Sequence, residues 1–158
     1  MTRRELHTWT CLFMSMRLQR ETYTQIFHSA TQIGMKEEFM ELIKQLSFET
    51  CGQACIAMIT GKDINDVIRD MKTSGPTSIG QLIEILDQYG IRHAERNIRI
   101  SKKNPRPYKY SILTVHANGG YTHWVLFYHD KYYDPEFGLI EGEYTYGKIT
   151  SFLEIYEG

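Results

Sequence analysis

The apolar pattern of this 158-residue chain changes from helical to extended spacing near residue 91. Before that point, apolar side chains recur every three or four residues in segments that begin near Cys51, Asp63 and Ser78, which indicates three helices. After it, short runs rich in β-branched and aromatic residues, Tyr110 to Val115 and His123 to Tyr128, alternate with turns. Helices followed by strands predict an α+β fold, with an N-terminal helical lobe packed against a C-terminal antiparallel β-sheet.

The compact domain is predicted to span residues 35–158, because an amphipathic helix is expected over Met35–Ile43. Residues 1–34 are interpreted as an N-terminal extension that is loose or helical. The longest strongly apolar stretch, Ala54 to Ile59, is too short to span a bilayer, so no membrane span is expected. Residues 91–100 are expected to be extended, and residues 135–142 to form a loop.

Composition excludes several classes of partner and site. The net charge of -1 does not favour binding to nucleic acid or to a membrane surface. The three cysteines, Cys11, Cys51 and Cys55, are too few for a disulfide framework and favour a reducing compartment, and they supply no second pair for a zinc site. Because the N-terminus lacks the apolar core of a secretion signal, we expect a cytoplasmic protein, or one delivered by a dedicated secretion system without a cleavable signal peptide.

Cys51 is the candidate nucleophile. Thr50 and Gln53 match a capping box and place Cys51 at the first position of a helix that Gly61 ends. A helix N-terminus favours the thiolate, which is the reactive form of cysteine. Taken alone, Cys51 fits either a nucleophile or a thiol that only packs, whereas Cys55, one turn deeper in an apolar helix, fits packing better.

His123 and Asp134 are the candidate base and its carboxylate partner. If His129 and Asp130 form a two-residue hairpin turn, Asp134 lies opposite Val125 and on the same strand face as His123. The carboxylate could then hold the imidazole in the correct tautomer. The ordinary alternative is a strand histidine without function and an aspartate that simply ends a strand.

Gln45 is the candidate oxyanion donor. Its side-chain amide, together with the backbone N–H of Cys51, could direct two hydrogen-bond donors at a developing negative charge. A glutamine at the end of a helix is usually only solvated, so its pairing with Cys51 is what makes it a candidate. His116, which ends a strand ahead of a turn, is the reserve candidate for the base.

Three short motifs together resemble the papain-like cysteine peptidase superfamily. They are Gln45-x5-Cys51-Gly52-x-Ala54, His123-Trp124-Val125 and Tyr133-Asp134-Pro135. More narrowly, residues 41–156 are similar to the bacteriocin-processing (double-glycine leader) peptidase family and its stand-alone relatives. The resemblance implies an active site between the two lobes, with Cys51 as nucleophile and His123 as general base and acid. It further implies Asp134 as orienting carboxylate, Gln45 as oxyanion donor, and no metal or organic cofactor.

The resemblance implies a hydrolase that acts on amide bonds of a peptide or protein through a thioester, and a peptidase is the first expectation. A glutamine deamidase or transglutaminase, as among bacterial effectors and toxins of this fold, would use the same residues, and a catalytically silent binding module would keep the fold. The basic segment 92–109 could instead contact nucleic acid or an acidic substrate, or be a solvated loop. We expect a peptide or protein partner and no nucleic acid; the oligomeric state stays open.

Overall fold

A computed structural model describes residues 40–106 and 108–158, and Met40–Gly158 form one compact unit. In this part of the chain, three helices precede a six-stranded sheet, which confirms the predicted α+β class. The helices are α1 (Cys51–Thr60), α2 (Ile64–Met71) and α3 (Ile79–Gln88). The strands are β1 (Ile98–Arg99), β2 (Ser111–Ala117), β3 (Thr122–Tyr128), β4 (Lys131–Asp134), β5 (Gly138–Glu141) and β6 (Gly147–Glu154). The predicted extension over residues 1–34 lies outside the described residues.

The sheet is antiparallel in the order β1-β6-β2-β3-β4-β5. The β3–β4 hairpin closes through His129 and Asp130, whose φ angles of 45° and 58° are those of a type I′ turn. Leu126 pairs with Tyr133, so the next step of the ladder brings Asp134 opposite Val125. The predicted two-residue turn and register are therefore confirmed.

Each face of the sheet carries its own apolar core. On one face, Leu126 and Trp124 pack with the helices, and the first eight residues of α1 are all buried there. On the other face, Val125 and Phe127 pack with aromatic residues of the sheet and of its loops. The alternation follows from the two-residue period of a strand. No helix in the described residues combines the length and apolarity needed to cross a bilayer.

The ends of the helices follow local sequence signals with one exception. Gly61, at a φ of 68°, ends α1, and Asp63 caps α2 by accepting from the backbone N–H of Asn65. Ser78 and Gln81 form a reciprocal capping box at the start of α3. The predicted helix end at Gly61 and the predicted helix starts near Asp63 and Ser78 are confirmed.

The capping box predicted between Thr50 and Gln53 was wrong. The backbone of Thr50 turns its hydroxyl back into the preceding turn, where Oγ1 accepts from the N–H groups of Leu46 and Ser47 at 3.0 Å each. Gln53 is fully buried, and its Nε2 donates to the carbonyl oxygens of Thr73 and Gly75 at 3.1 and 2.9 Å. Both side chains therefore bond to partners other than each other, and a local sequence pattern does not reveal those partners.

Three further predictions of local structure need correction. The part of the expected helix Met35–Ile43 that is described, from Met40 onward, is not helical, although its apolar side chains pack on the core. Residues 91–100 contain only the two-residue strand β1 and one isolated bridge from His93. The loop expected over residues 135–142 contains β5, which is an edge strand formed by pairing with β4 rather than by a strong propensity of its own.

Candidate active site

The first residue of α1 and the second residue of β3 meet where the helix contacts the sheet. Cys51 lies close enough to His123 for hydrogen bonding and charge to help raise the pKa of the imidazole. Both side chains lie below the surface, with 6% of Cys51 and 1% of His123 exposed. Since Nε2 of His123 bonds to Asp134 at 2.8 Å, Nδ1 is the ring nitrogen that remains for the thiol.

The carboxylate of Asp134 is completely buried and accepts hydrogen bonds on both oxygens. Oδ1 accepts from His123 and from the backbone N–H groups of Glu136 and Phe137, at 2.8 and 3.0 Å. Oδ2 accepts from the hydroxyl of Tyr144 at 2.6 Å. A buried charge is tolerated only when it is paired and hydrogen-bonded, and Asp134 meets both conditions.

The electrostatics of the site favour a charged imidazole and carboxylate. Burial on its own would lower the pKa of His123, but its hydrogen bonds and charge interactions with Asp134 and Cys51 raise the pKa to about 9. Burial would raise the pKa of Asp134, but hydrogen bonds from His123, Tyr144 and the Phe137 N–H lower it below its usual range. At neutral pH, His123 is therefore positively charged and Asp134 negatively charged.

Gln45 lies beside the chain that follows Asp134. Its backbone N–H donates to the carbonyl oxygen of Pro135 at 3.1 Å, and the turn held by Thr50 leads from Gln45 to Cys51. The side-chain Oε1 is buried and finds no hydrogen-bond partner in the described part of the chain. A half-turn of the amide would put the Nε2 donor at the same place.

The remaining candidates from the sequence are either packed in the core or lie away from Cys51 and His123. Cys55 is fully buried, and burial raises the pKa of its thiol well above the usual range. The reserve histidine His116 is exposed on β2. The basic segment 92–109 contributes the edge strand β1, which β6 and β2 separate from β3. Arg99, on this edge strand, therefore lies away from the start of β3.

A loop before α3 packs closely on the first turn of α1. A Cβ atom at Gly52 would collide with Oγ1 of Thr77, so only glycine fits beside Cys51 without a shift of this loop. The loop is fixed by Gln53, and by Trp124, whose Nε1 donates to the Thr77 carbonyl oxygen at 3.1 Å. Gly52 thus lets the loop approach the cysteine.

Sequence reasoning missed Tyr144 and the aromatic residues near His123. Tyr144 lies in the loop between β5 and β6, where no periodic pattern distinguishes one tyrosine from another. Burial and the adjacent Asp134 carboxylate raise the pKa of the Tyr144 hydroxyl strongly, which keeps it a hydrogen-bond donor. Tyr121 bonds in the same way to Glu136, at 2.7 Å.

Neither the protein-family models nor the curated proteins match this sequence.

Proposed function

We propose that the protein is a papain-like cysteine hydrolase that cleaves amide bonds of a peptide or protein, most simply as a peptidase. Membership of the superfamily, close to the bacteriocin-processing peptidases and their stand-alone relatives, is part of the proposal. One observation carries it: Cys51 lies within hydrogen-bonding reach of His123, whose Nε2 bonds to Asp134 at 2.8 Å. This is the arrangement of nucleophile, base and orienting group that acyl transfer requires.

In the first step, the Cys51 thiolate attacks the carbonyl carbon of the substrate amide. The raised pKa of His123 keeps the imidazole protonated at neutral pH, so it holds a proton for the departing nitrogen. As the S–C bond forms, the carbonyl electrons move onto oxygen. The backbone N–H of Cys51 and the side-chain amide of Gln45 are the proposed donors to that oxyanion.

In the second step, His123 gives its proton to the departing nitrogen, the C–N bond breaks, and a thioester remains on Cys51. Neutral His123 then removes a proton from water, whose oxygen attacks the thioester. The C–S bond breaks, the acid product leaves, and the thiolate and imidazolium are restored. Asp134 stays ionised throughout and holds the imidazole ring in position.

The leaving nitrogen and the acceptor of the acyl group decide the class of reaction. A main-chain amide gives peptide cleavage, the side-chain amide of glutamine gives deamidation with release of ammonia, and an amine acceptor in place of water gives transglutamination. All three pass through the same thioester, so the chemistry of the triad is common to them. Peptide cleavage is preferred because the motifs resemble a peptidase family.

Mass spectrometry of candidate proteins and of a proteome-derived peptide mixture tests the proposal directly. Wild type should generate new termini that Cys51→Ala does not, and a gain of about one dalton at glutamine would instead identify a deamidase. Cys55→Ala is the matched control, since it removes a thiol from the same helix but keeps the triad. Equal products from wild type and Cys51→Ala would refute the proposal.

A thiol-reactivity assay separates an enzyme from a silent binding module of the same fold. Iodoacetamide should alkylate Cys51 much faster than the buried Cys55, and His123→Ala should slow that reaction. If Cys51 reacts no faster than Cys55, and mass spectrometry finds no reaction products, the result would favour the binding module.

A further inference from the structure

Two pairs of aromatic side chains run from the His123 imidazole to the surface. The rings of Tyr121 and Phe137 stand edge-on to the imidazole, with ring centroids 6.2 and 6.4 Å away. Phe48 packs on Tyr121 at 4.6 Å, and Tyr146 stacks on Phe137 at 4.1 Å. We call these four residues the aromatic collar. Their separate segments, before α1, before β3, after β4 and before β6, converge only in the folded chain.

Three of the four collar residues are exposed, although they are large and apolar. Phe48 is 58% exposed, and Phe137 and Tyr146 are each 39% exposed. Among the described residues, the other exposed large apolar side chains are Leu46 and Leu139, in the same segments, and Tyr156, near the C-terminus. Single exposed apolar side chains are normal, whereas a cluster of them marks a binding surface.

Assuming the proposed hydrolase function, we infer that the collar binds a large apolar side chain, aromatic or leucine-like, of an extended substrate segment. Cys51 and His123 are almost completely buried, and two collar rings adjoin the imidazole, so the atoms that flank a reactive amide would pass over the collar. The collar begins at the His123 imidazole, and an extended chain spans about 3.3 Å per residue. A side chain bound on the collar therefore belongs to a residue within about three positions of the reactive amide.

The charged groups beside the collar are already engaged, which favours an apolar contact over an ionic one. The carboxylate of Glu136 accepts from the Tyr121 hydroxyl at 2.7 Å. The ammonium group of Lys44 donates to the Glu136 carbonyl oxygen at 2.8 Å. An apolar side chain would cover ring surface without displacing either bond, and aromatic walls favour such contacts.

Epoxysuccinyl peptides test this inference, because their peptide arms can extend in either direction from the carbons that the thiol attacks. The full-length protein is labelled with probes that carry a single Phe at successive positions, and with the all-Ala probe. Burying a phenyl ring should make labelling of Cys51 about tenfold to a hundredfold faster at one position or more. The ratio of Phe to Ala rates in each variant is the readout, because it cancels changes in thiol reactivity.

The double variant Phe137→Ala/Tyr146→Ala should reduce that ratio about tenfold, whereas Tyr156→Ala, an exposed aromatic residue outside the collar, should leave it unchanged. If the double variant fails to fold by circular dichroism, Phe137→Leu/Tyr146→Leu replaces it and should shift the preference from Phe to Leu.

Three results would overturn the inference. Equal rates for Phe and Ala probes at every position, with Cys51 still labelled, would refute the collar as a substrate site and leave the hydrolase intact. Absence of any labelling at Cys51 beyond that of Cys51→Ala would refute the hydrolase itself. A dimer in sedimentation experiments that the double variant abolishes would assign the collar to contact with a second copy of the chain.

Discussion

Replacement of Tyr144 by phenylalanine tests how the carboxylate of the site is held. The substitution removes one hydroxyl group, which donates to Oδ2 of Asp134 at 2.6 Å, and leaves the ring in its apolar cluster. Both residues are buried, so water does not readily replace the lost donor. Among the described residues, no other donor to Oδ2 is seen, whereas Oδ1 keeps three.

The expected loss of stability at neutral pH is about 2 kcal/mol, the magnitude for a hydrogen bond to a buried charge. The folded-state pKa of Asp134 lies below its unfolded value of 3.8, so its contribution is present above that value and is lost as pH falls through the folded pKa. Since Tyr144 is one cause of the lowered pKa, the variant should differ most from wild type at neutral pH and progressively less in acid.

Urea unfolding of both proteins at neutral pH and near pH 3 measures this difference. Tyr132→Phe is the matched control: its hydroxyl lies in the same aromatic cluster, 3.5 Å from that of Tyr108, without contact to Asp134. The control should lose less than about 1 kcal/mol, equally at both pH values. A Tyr144→Phe loss that equals the control, or that does not shrink in acid, would refute the role of this hydrogen bond.

Three further outcomes are expected. Gly52→Ala should reduce the free energy of unfolding in urea by about 1–3 kcal/mol and should slow alkylation of Cys51 by iodoacetamide. Gly80→Ala is the control, because a Cβ atom has room there; it should leave alkylation unchanged and leave stability equal or higher. Cys51→Ala should abolish turnover and barely change the thermal midpoint, whereas Cys55→Ala should retain turnover and lower the midpoint; the reverse result would exchange their roles. The pKa of His123 is raised from 6.5 to about 9, which should contribute roughly 3 kcal/mol to the free energy of unfolding below pH 6.5. This contribution is lost as pH rises through 9. A His123→Ala protein whose free energy of unfolding falls equally over this pH range would contradict the assignment.

The part of the site that the sequence could predict is the part set by short-range rules. A two-residue turn fixes which residues of β4 lie on the same sheet face as which residues of β3. The contact between His123 and Asp134 could therefore be predicted from the number of residues between each of them and the turn. The glycine stop and the apolar run likewise placed α1 behind Cys51. Tyr144 and the aromatic collar could not be predicted, because their loops carry no periodic pattern and their proximity depends on the tertiary structure. The Thr50–Gln53 pattern failed for the same reason: burial gave Gln53 a stronger set of partners.

The segment from Asp134 to Phe137 connects the parts of the site that come from distant stretches of sequence. The N–H groups of its last two residues orient the carboxylate that bonds to His123. The carbonyl oxygen of Pro135 accepts from the backbone N–H of Gln45, which ties the candidate oxyanion donor to the same four residues. Phe137 itself belongs to the collar. Because backbone bonds join these parts, a shift of this segment would move the carboxylate, the amide donor and the apolar contact surface together, so preorganisation of the proposed site rests on this turn as much as on the helix that carries the thiol.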